Sequence, residues 1–301
     1  MASQQTGTPP PSVSTPSPSP FDSPRADVVL RSSEGTDFRM LQTFLAWSSP
    51  VFDGMFSLPQ PAGGDTINEQ QDGLPVVQLA ETGAVLDILL RFCMPQAPPA
   101  VTNIKLALGV REAARKYEVA WAARVAGEAI DTLTEKDPLR MYAIACQSGL
   151  QGEARKAAMR CLRLPLAMIT DSQVEEIEEI TVRQFRRLVR YRQRCRDAVE
   201  KQVPSSAYYA LYGLPSCAVS GEDKRKQCGE WFDKWVHKVV EELKECTWGG
   251  QLKVEDATAA YIANMPCQKC RSYGFADAQR SVTAAALATE REIAKIQLEW
   301  S

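Results

Sequence analysis

The chain has 301 residues, 45% of them hydrophobic and 24% charged, and its formal net charge at pH 7 is -2. This composition is typical of globular proteins, and the length allows two domains. The balanced charge excludes a global electrostatic attraction to nucleic acid or anionic lipid. Residues 1–20 lack the features of a secretory signal and no apolar run could span a membrane, so we expect a protein of the cytoplasm or the nucleus without a membrane partner.

Motifs that carry catalysis are scarce. Any triad, His-based dyad or multi-histidine metal site would have to use His237, the single histidine, and no serine elbow or HExxH helix lies near it. The chain has no P-loop signature and no GxGxxG after a strand. A cysteine-dependent enzyme would need a thiolate activated by His237 or Lys269. We therefore predict no catalytic residues and no enzyme activity.

Residues 1–21 are dominated by proline, serine and threonine. Such a segment buries too little apolar surface to offset the entropy of ordering its backbone, so we predict a disordered tail. The tail contains Ser-Pro and Thr-Pro pairs, including Thr8-Pro9 and Ser19-Pro20. Two interpretations stay open for them: sites for a proline-directed kinase, or a plain solubilising tail.

Residues 26–56 combine the signals of a hairpin and of the helices after it. Residues 27–32 are rich in β-branched side chains, Gly35 lies in the following turn, and Phe38 and Met40 alternate with polar residues as in a return strand. The next apolar residues have the spacing of the buried faces of short helices: Leu41, Phe44, Leu45, Val51, Phe52, Met55 and Phe56.

A third strand and a helical cluster are predicted next. Residues 74–79 form the strand, and the aperiodic stretch 57–73 joins it to the first helices as a loop. Buried helices follow, the second of them after the N-cap Asn103: 82–94, 104–117 and 119–133. The predicted first domain therefore mixes strands and helices over residues 22–134.

These segments resemble a BTB/POZ domain over about a third of the chain. The strand that Asp27 opens, the sequence FLAWSSPVF at 44–52 and the pair Met55-Phe56 are similar to the first half of that family, and the later strand and helices follow in its order. The resemblance implies an α+β BTB/POZ fold, a small mixed sheet flanked by a helical cluster. The residues it assigns to the core and interaction surface are Asp27, Phe44, Leu45, Phe52, Met55 and Phe56.

The resemblance also implies a protein-protein interaction module, an adaptor or scaffold. Members of the family pair with themselves or with other BTB proteins, recruit cullin-type ubiquitin ligase scaffolds, or act in transcriptional complexes, and these alternatives stay open. Leu41 stands where the family usually has His, and Gln60 stands where cullin-binding members often have Glu. Partners are therefore not carried over from better-known relatives.

Residues 135–203 are predicted to be helical. Asp137-Pro138 starts a helical pair with alanine-rich seams, which resembles the BACK-type extension of the family. A longer helix then carries a series of basic residues beside an apolar stripe: Arg183, Arg186, Arg187, Arg190, Arg192, Arg194, Arg196 and Lys201. One interpretation is a solvated helix face; the others are an acidic protein partner, or a nucleic-acid-associated transcriptional regulator that uses the 183–201 helix and a zinc site.

The C-terminal region, residues 204–301, is predicted to be helical and to contain a cysteine cluster, after a connector that starts at Pro204. Zinc is the only cofactor that the sequence suggests, with Cys217, Cys267 and Cys270 as ligands, the last two forming a CxxC pair. The fourth ligand would be Cys228, Cys246 or His237. Because one CxxC supplies only half of a tetrahedral site, buried thiols without metal are the alternative.

Overall fold

The computed structural model describes residues 15–17, 20–57, 70–97, 99–211, 237–254, 256–265 and 267–300. The chain divides into two compact units, Met1–Lys136 and Asp137–Ser301. Asp137 begins the second unit as a helix N-cap, and its side chain accepts a hydrogen bond from the backbone N–H of Arg140 at 3.1 Å.

The described part of the first unit contains a small mixed sheet. Its strands are β1 (Thr15–Pro16), β2 (Val28–Arg31), β3 (Thr36–Met40), β4 (Gln70–Gln71) and β5 (Leu74–Gln78). They lie in the order β1-β3-β2-β5-β4. β2 and β3 form an antiparallel hairpin and β5 runs parallel to β2, so the predicted hairpin and third strand are confirmed. Gly35 makes the hairpin turn with a φ of 82°, which a residue without a Cβ adopts at no steric cost.

β1 lies in a segment whose composition predicts a disordered tail. Most of residues 1–21 lie outside the described residues, but the backbone N–H of Ser17 donates to the Asp37 carbonyl at 2.8 Å. Phe21 is 1% exposed and packs edge-to-face on Phe38, with 5.1 Å between ring centroids. The predicted disordered tail is therefore wrong for residues 15–17 and 20–21, because hydrogen bonds to a sheet edge do not depend on side-chain composition and one buried aromatic anchors the chain.

Helices complete the described part of the first unit: α1 (Gln42–Ser48), α2 (Pro50–Ser57), α3 (Gly83–Phe92), α4 (Ile104–Lys116) and α5 (Ala120–Lys136). α1 packs on α2, α3 on α4, and α4 on α5. The Asn103 side chain accepts from the Leu106 N–H at 3.0 Å, which confirms the predicted N-cap. Leu30 of the sheet and Leu89 of α3 are both 0% exposed in one shared core. The unit is therefore a mixed α+β domain.

The described part of the second unit is helical. Its helices are α6 (Pro138–Gln147), α7 (Gln151–Cys161), α8 (Leu166–Thr170), α9 (Glu175–Glu178), α10 (Val182–Leu211), α11 (residues 237–245), α12 (Asp256–Ala263) and α13 (Gln268–Ala294), with a 3-10 turn at Gly249–Gln251. α6 and α7 form the predicted hairpin, and the long helices α10 and α13 pack against each other. None of the described helices is long and apolar enough to cross a membrane.

α10 continues beyond its predicted end. The sequence predicts a connector from Pro204, but the helix runs on to Leu211. Proline removes one i→i−4 hydrogen bond and crowds the preceding turn, yet it does not by itself prevent helix on both sides. The connector predicted to start at Pro204 is therefore wrong up to Leu211.

Candidate functional site

The helix pair α1–α2 is positioned by two polar side chains. The Asp27 carboxylate accepts from the backbone N–H of Gln42 at 2.7 Å and caps α1, whose own N-cap residue, Leu41, has no side-chain acceptor. The Ser49 hydroxyl accepts from the Phe52 N–H at 3.1 Å and donates to the carbonyl of Tyr117. Asp27 and Ser49 therefore fix both helices to the rest of the unit, and Asp27 acts as a cap.

The remaining predicted interaction residues divide by burial. Leu45 and Phe52 are 0% exposed, so they form core and cannot contact a partner, whereas Phe44, Met55 and Phe56 are half-buried. The Phe52 ring stacks on Tyr117, with 4.8 Å between centroids, and on Phe56, with 6.2 Å. This stack holds α2 against the end of α4 and leaves one edge of Phe56 at the surface.

Trp47, which the sequence analysis did not single out, is 93% exposed, the highest value among large apolar side chains in the described residues. It stands at an open groove between α1 and α2, lined by Gln42, Thr43, Ala46, Trp47, Asp53, Phe56 and Ser57. The position of Trp47 in the sequence indicates its exposure, because a residue two places after the buried Leu45 lies about 200° around the helix, away from the core. An aromatic side chain surrounded by polar groups has the composition of a protein-protein contact.

A polar network lies behind the ring stack. The Glu81 carboxylate accepts from Lys116 Nζ at 2.7 Å and from the Tyr117 hydroxyl at 2.6 Å. Burial alone would raise the pKa of Glu81, but the hydrogen bonds from Lys116 and Tyr117 outweigh burial and hold the pKa below its usual value. Burial, together with the hydrogen bond to Glu81, raises the pKa of Tyr117 to about 12. Tyr117 is thus a protonated donor at neutral pH, and its ring is fixed against Phe52.

The predicted zinc ligands do not form a metal site within the part of the chain that the structure describes. Cys267 is buried at the N-cap of α13, Cys270 and Cys246 are half-buried, and His237 is exposed on α11. No group of three or more His, Cys, Asp or Glu in the described ranges is placed to hold a metal ion. Two of the predicted ligands lie outside the described residues: Cys217 and Cys228. Zinc therefore stays a prediction.

Arg192 differs from the other basic residues of α10. It is 5% exposed, and its guanidinium donates to the carbonyl of Cys161 at 3.2 Å and to the carbonyl of Glu245. These carbonyls belong to the last residues of α7 and α11, where the helix dipole favours a cation. Burial lowers the pKa of Arg192. The prediction that Arg192 belongs to a solvated or ligand-binding face is wrong, because Arg192 falls within the apolar stripe, between Leu188 and Cys195.

The fold of the first unit agrees with the class that the resemblance implies. A mixed α+β domain with a small sheet is shared by many families, so the fold class alone does not identify one. The comparison with known proteins finds no matching family model and no matching curated protein. What is established is therefore an α+β unit followed by a helical unit.

Proposed function

We propose that the chain is a BTB/POZ-type adaptor, a protein-protein interaction module without catalysis of its own, and that the α1–α2 groove around Trp47 is its partner surface. The exposure of Trp47, 93%, is the observation that carries the proposal. Gln42, Thr43 and Asp53 supply a polar rim around it. Protein interfaces combine such a rim with an aromatic centre.

The expected energetic contribution of Trp47 is large. An aromatic side chain of this size buries ~150 Å² or more in an interface, and ~25 cal/mol per Å² then gives about 4 kcal/mol before the costs of association. Central tryptophans of interfaces typically cost ~2 kcal/mol or more when truncated, which is about a 30-fold loss of affinity. The caps at Asp27 and Ser49 hold α1 and α2 in place before a partner arrives, which reduces the entropy lost on binding.

The partner is a second copy of the chain, another BTB protein, a cullin-type scaffold or a component of a transcriptional complex. β1 pairs with β3 of its own chain. Gln60, whose lack of charge bears on cullin binding, lies outside the described residues. Capture of bound proteins and measurement of the oligomeric mass would identify which of these partners binds.

The test compares two tryptophan variants of the tagged full chain. Trp47→Ala should lose the proteins captured from the native cell or, if the partner is a second copy, should lower the oligomeric mass measured by light scattering. Trp121→Ala is the matched control, because Trp121 is 49% exposed in the same unit and lies beneath the guanidinium of Arg124 at 4.6 Å. Unchanged partners and mass in Trp47→Ala would contradict the proposal.

A further inference from the structure

A second surface, in the helical unit, gathers four arginines into an arginine groove. The groove is lined by Arg183, Arg187, Arg190, Tyr191, Arg194 and Glu299. The arginines recur at intervals of four, three and four residues along α10, so they share one face over about 16 Å. All of these residues lie in Asp137–Ser301, so the arginine groove shares no residue with the α1–α2 groove.

The arginine groove differs from an ordinary solvated helix face because one wall of it is a fixed chain segment. Arg187 donates from Nη2 to the Trp300 carbonyl at 2.8 Å, and its guanidinium lies 4.8 Å from the centroid of the Trp300 ring. Arg194 pairs with Glu299 at 2.6 Å. Leu298, which is 3% exposed, anchors the segment. Arg187 and Arg194 are therefore already engaged by this wall, which leaves Arg183 and Arg190 as the guanidinium groups available to a ligand.

The charge of the arginine groove is only partly compensated. Four guanidinium groups face one carboxylate, Glu299, so the lining residues carry an excess of three positive charges. Arg183 and Arg190 form no ion pair with any residue that the structure describes. A single additional carboxylate would leave most of this excess in place, whereas a phosphate monoester brings about −1.5 to −2 charges at neutral pH.

The arginine groove is large enough to hold an oxyanion. The groove encloses about 60 Å³, several times the ~10–15 Å³ that one water needs on the same measure. That is room for a tetrahedral phosphoryl group. Guanidinium groups also match phosphate oxygens through paired N–H donors, which an ammonium group cannot do.

We propose that the arginine groove binds a phosphoserine or phosphothreonine side chain of a partner protein, with Arg183 and Arg190 as its principal ligands. A nucleic acid backbone fits less well. Neither ring at the groove is free to stack on a base, because Trp300 is covered by Arg187 and Tyr191 is 6% exposed, and Glu299 places a negative charge inside the groove. Sequence-tolerant nucleic acid binding uses exposed aromatic stacking surfaces and an uninterrupted positive track.

Two substitutions should change the affinity in opposite directions. Arg183→Gln removes a charge-assisted bidentate donor and should weaken binding by ~10-fold, and Arg190→Gln likewise. Glu299→Gln removes the competing carboxylate and releases Arg194, so it should tighten binding several-fold. All three side chains are exposed, so the thermal unfolding curve of each variant should match that of the parent chain.

The experiment measures fluorescence anisotropy of the full chain with a labelled degenerate peptide pool that has a fixed central phosphoserine. The same pool with serine in place of phosphoserine is the ligand control, and Arg155→Gln, an exposed arginine of α7, is the protein control. Phosphate-dependent binding that Arg183→Gln weakens, Glu299→Gln strengthens and Arg155→Gln leaves unchanged supports the proposal. Equal binding of the two pools overturns it, as does a loss of affinity in Glu299→Gln. Tighter, steeply salt-dependent binding of a single-stranded oligonucleotide overturns it in favour of a nucleic-acid-associated regulator.

Discussion

Arg192 offers a direct test of what holds the helical unit together. The informative change is Arg192→Met, because methionine keeps much of the apolar stem and removes the guanidinium. Two helix C-termini would lose a hydrogen-bond donor: the Cys161 carbonyl at the end of α7 and the Glu245 carbonyl at the end of α11. Both helix ends would lose the cation that their dipoles favour.

The expected loss of stability depends on the hydrogen bonds that each carbonyl keeps. The Cys161 carbonyl still accepts from the Leu164 N–H at 3.1 Å, so losing Arg192 should cost it only about 1 kcal/mol. Among the described residues the Glu245 carbonyl accepts from no other donor, so losing Arg192 should cost it about 2–3 kcal/mol, which is typical when one partner of a hydrogen bond to a charged group is removed. Arg192→Met also removes the cost of burying a charge, which offsets part of this loss of stability, because replacing a buried ion by a hydrophobic side chain is often favourable by ~1 kcal/mol or more. The net expected loss is about 2 kcal/mol.

The assay is urea unfolding of the full chain, combined with hydrogen exchange at the ends of α7 and α11, because a chain of two units need not unfold in one step. Arg190→Met is the matched control: it removes an exposed arginine from the same helix and should change stability by less than ~0.5 kcal/mol. Arg192→Met with unchanged or greater stability, and unchanged exchange at both helix ends, would refute the reasoning. The cost of burying the charge would then exceed the value of its hydrogen bonds.

Three further predictions concern other sites. Arg31→Met or Asp37→Leu alone should destabilise the first unit by ~3 kcal/mol, since each leaves one partner of a buried bidentate ion pair at 2.6 Å, and the double variant should recover most of the loss in urea unfolding. The pKa of Glu81 in the folded state lies below its ordinary 4.5, so its contribution to folding stability should be complete above pH 4.5 and lost as the pH falls through the folded-state pKa. Glu81→Gln should remove this part of the acid sensitivity in thermal melts. Purified chain should contain stoichiometric zinc by elemental analysis, and Cys267→Ser should abolish it.

Each of these predictions has a result that contradicts it. An ion-pair cycle in which the single changes add up to the double change would mean that the two side chains act independently. Melting temperatures of Glu81→Gln and the parent chain that fall in parallel below pH 5 would show that other carboxylates control acid unfolding. Metal-free protein with full stability would identify Cys267 and Cys270 as structural thiols.

Local signals account for the parts of the fold that could be predicted. The hairpin around Gly35 and the N-caps Asn103 and Asp137 depend on residues within a few positions of one another, so their chemistry is visible in the sequence. Burial of the alanine seam between α6 and α7 follows from helical period alone.

The features that the sequence did not predict depend on distant contacts. Arg192 is indistinguishable by type from its exposed neighbours, and the carbonyls of Cys161 and Glu245, 31 and 53 positions away, make its burial acceptable. The exposure of Trp47 follows from its position two places after Leu45, but the other large side chains of its segment are at least partly buried, so the sequence does not set Trp47 apart by residue type. β1 is held by backbone groups, which carry no sequence signal.

The cap on α1 also constrains the order in which the first unit can form. A helix of seven residues is far too short to persist alone in water. Its cap comes from Asp27, 15 positions earlier, which reaches Gln42 only after β2 and β3 have paired. The helix that presents Trp47 should therefore gain its structure with or after the hairpin, so a nascent or partly unfolded chain would not yet present Trp47 on a formed helix.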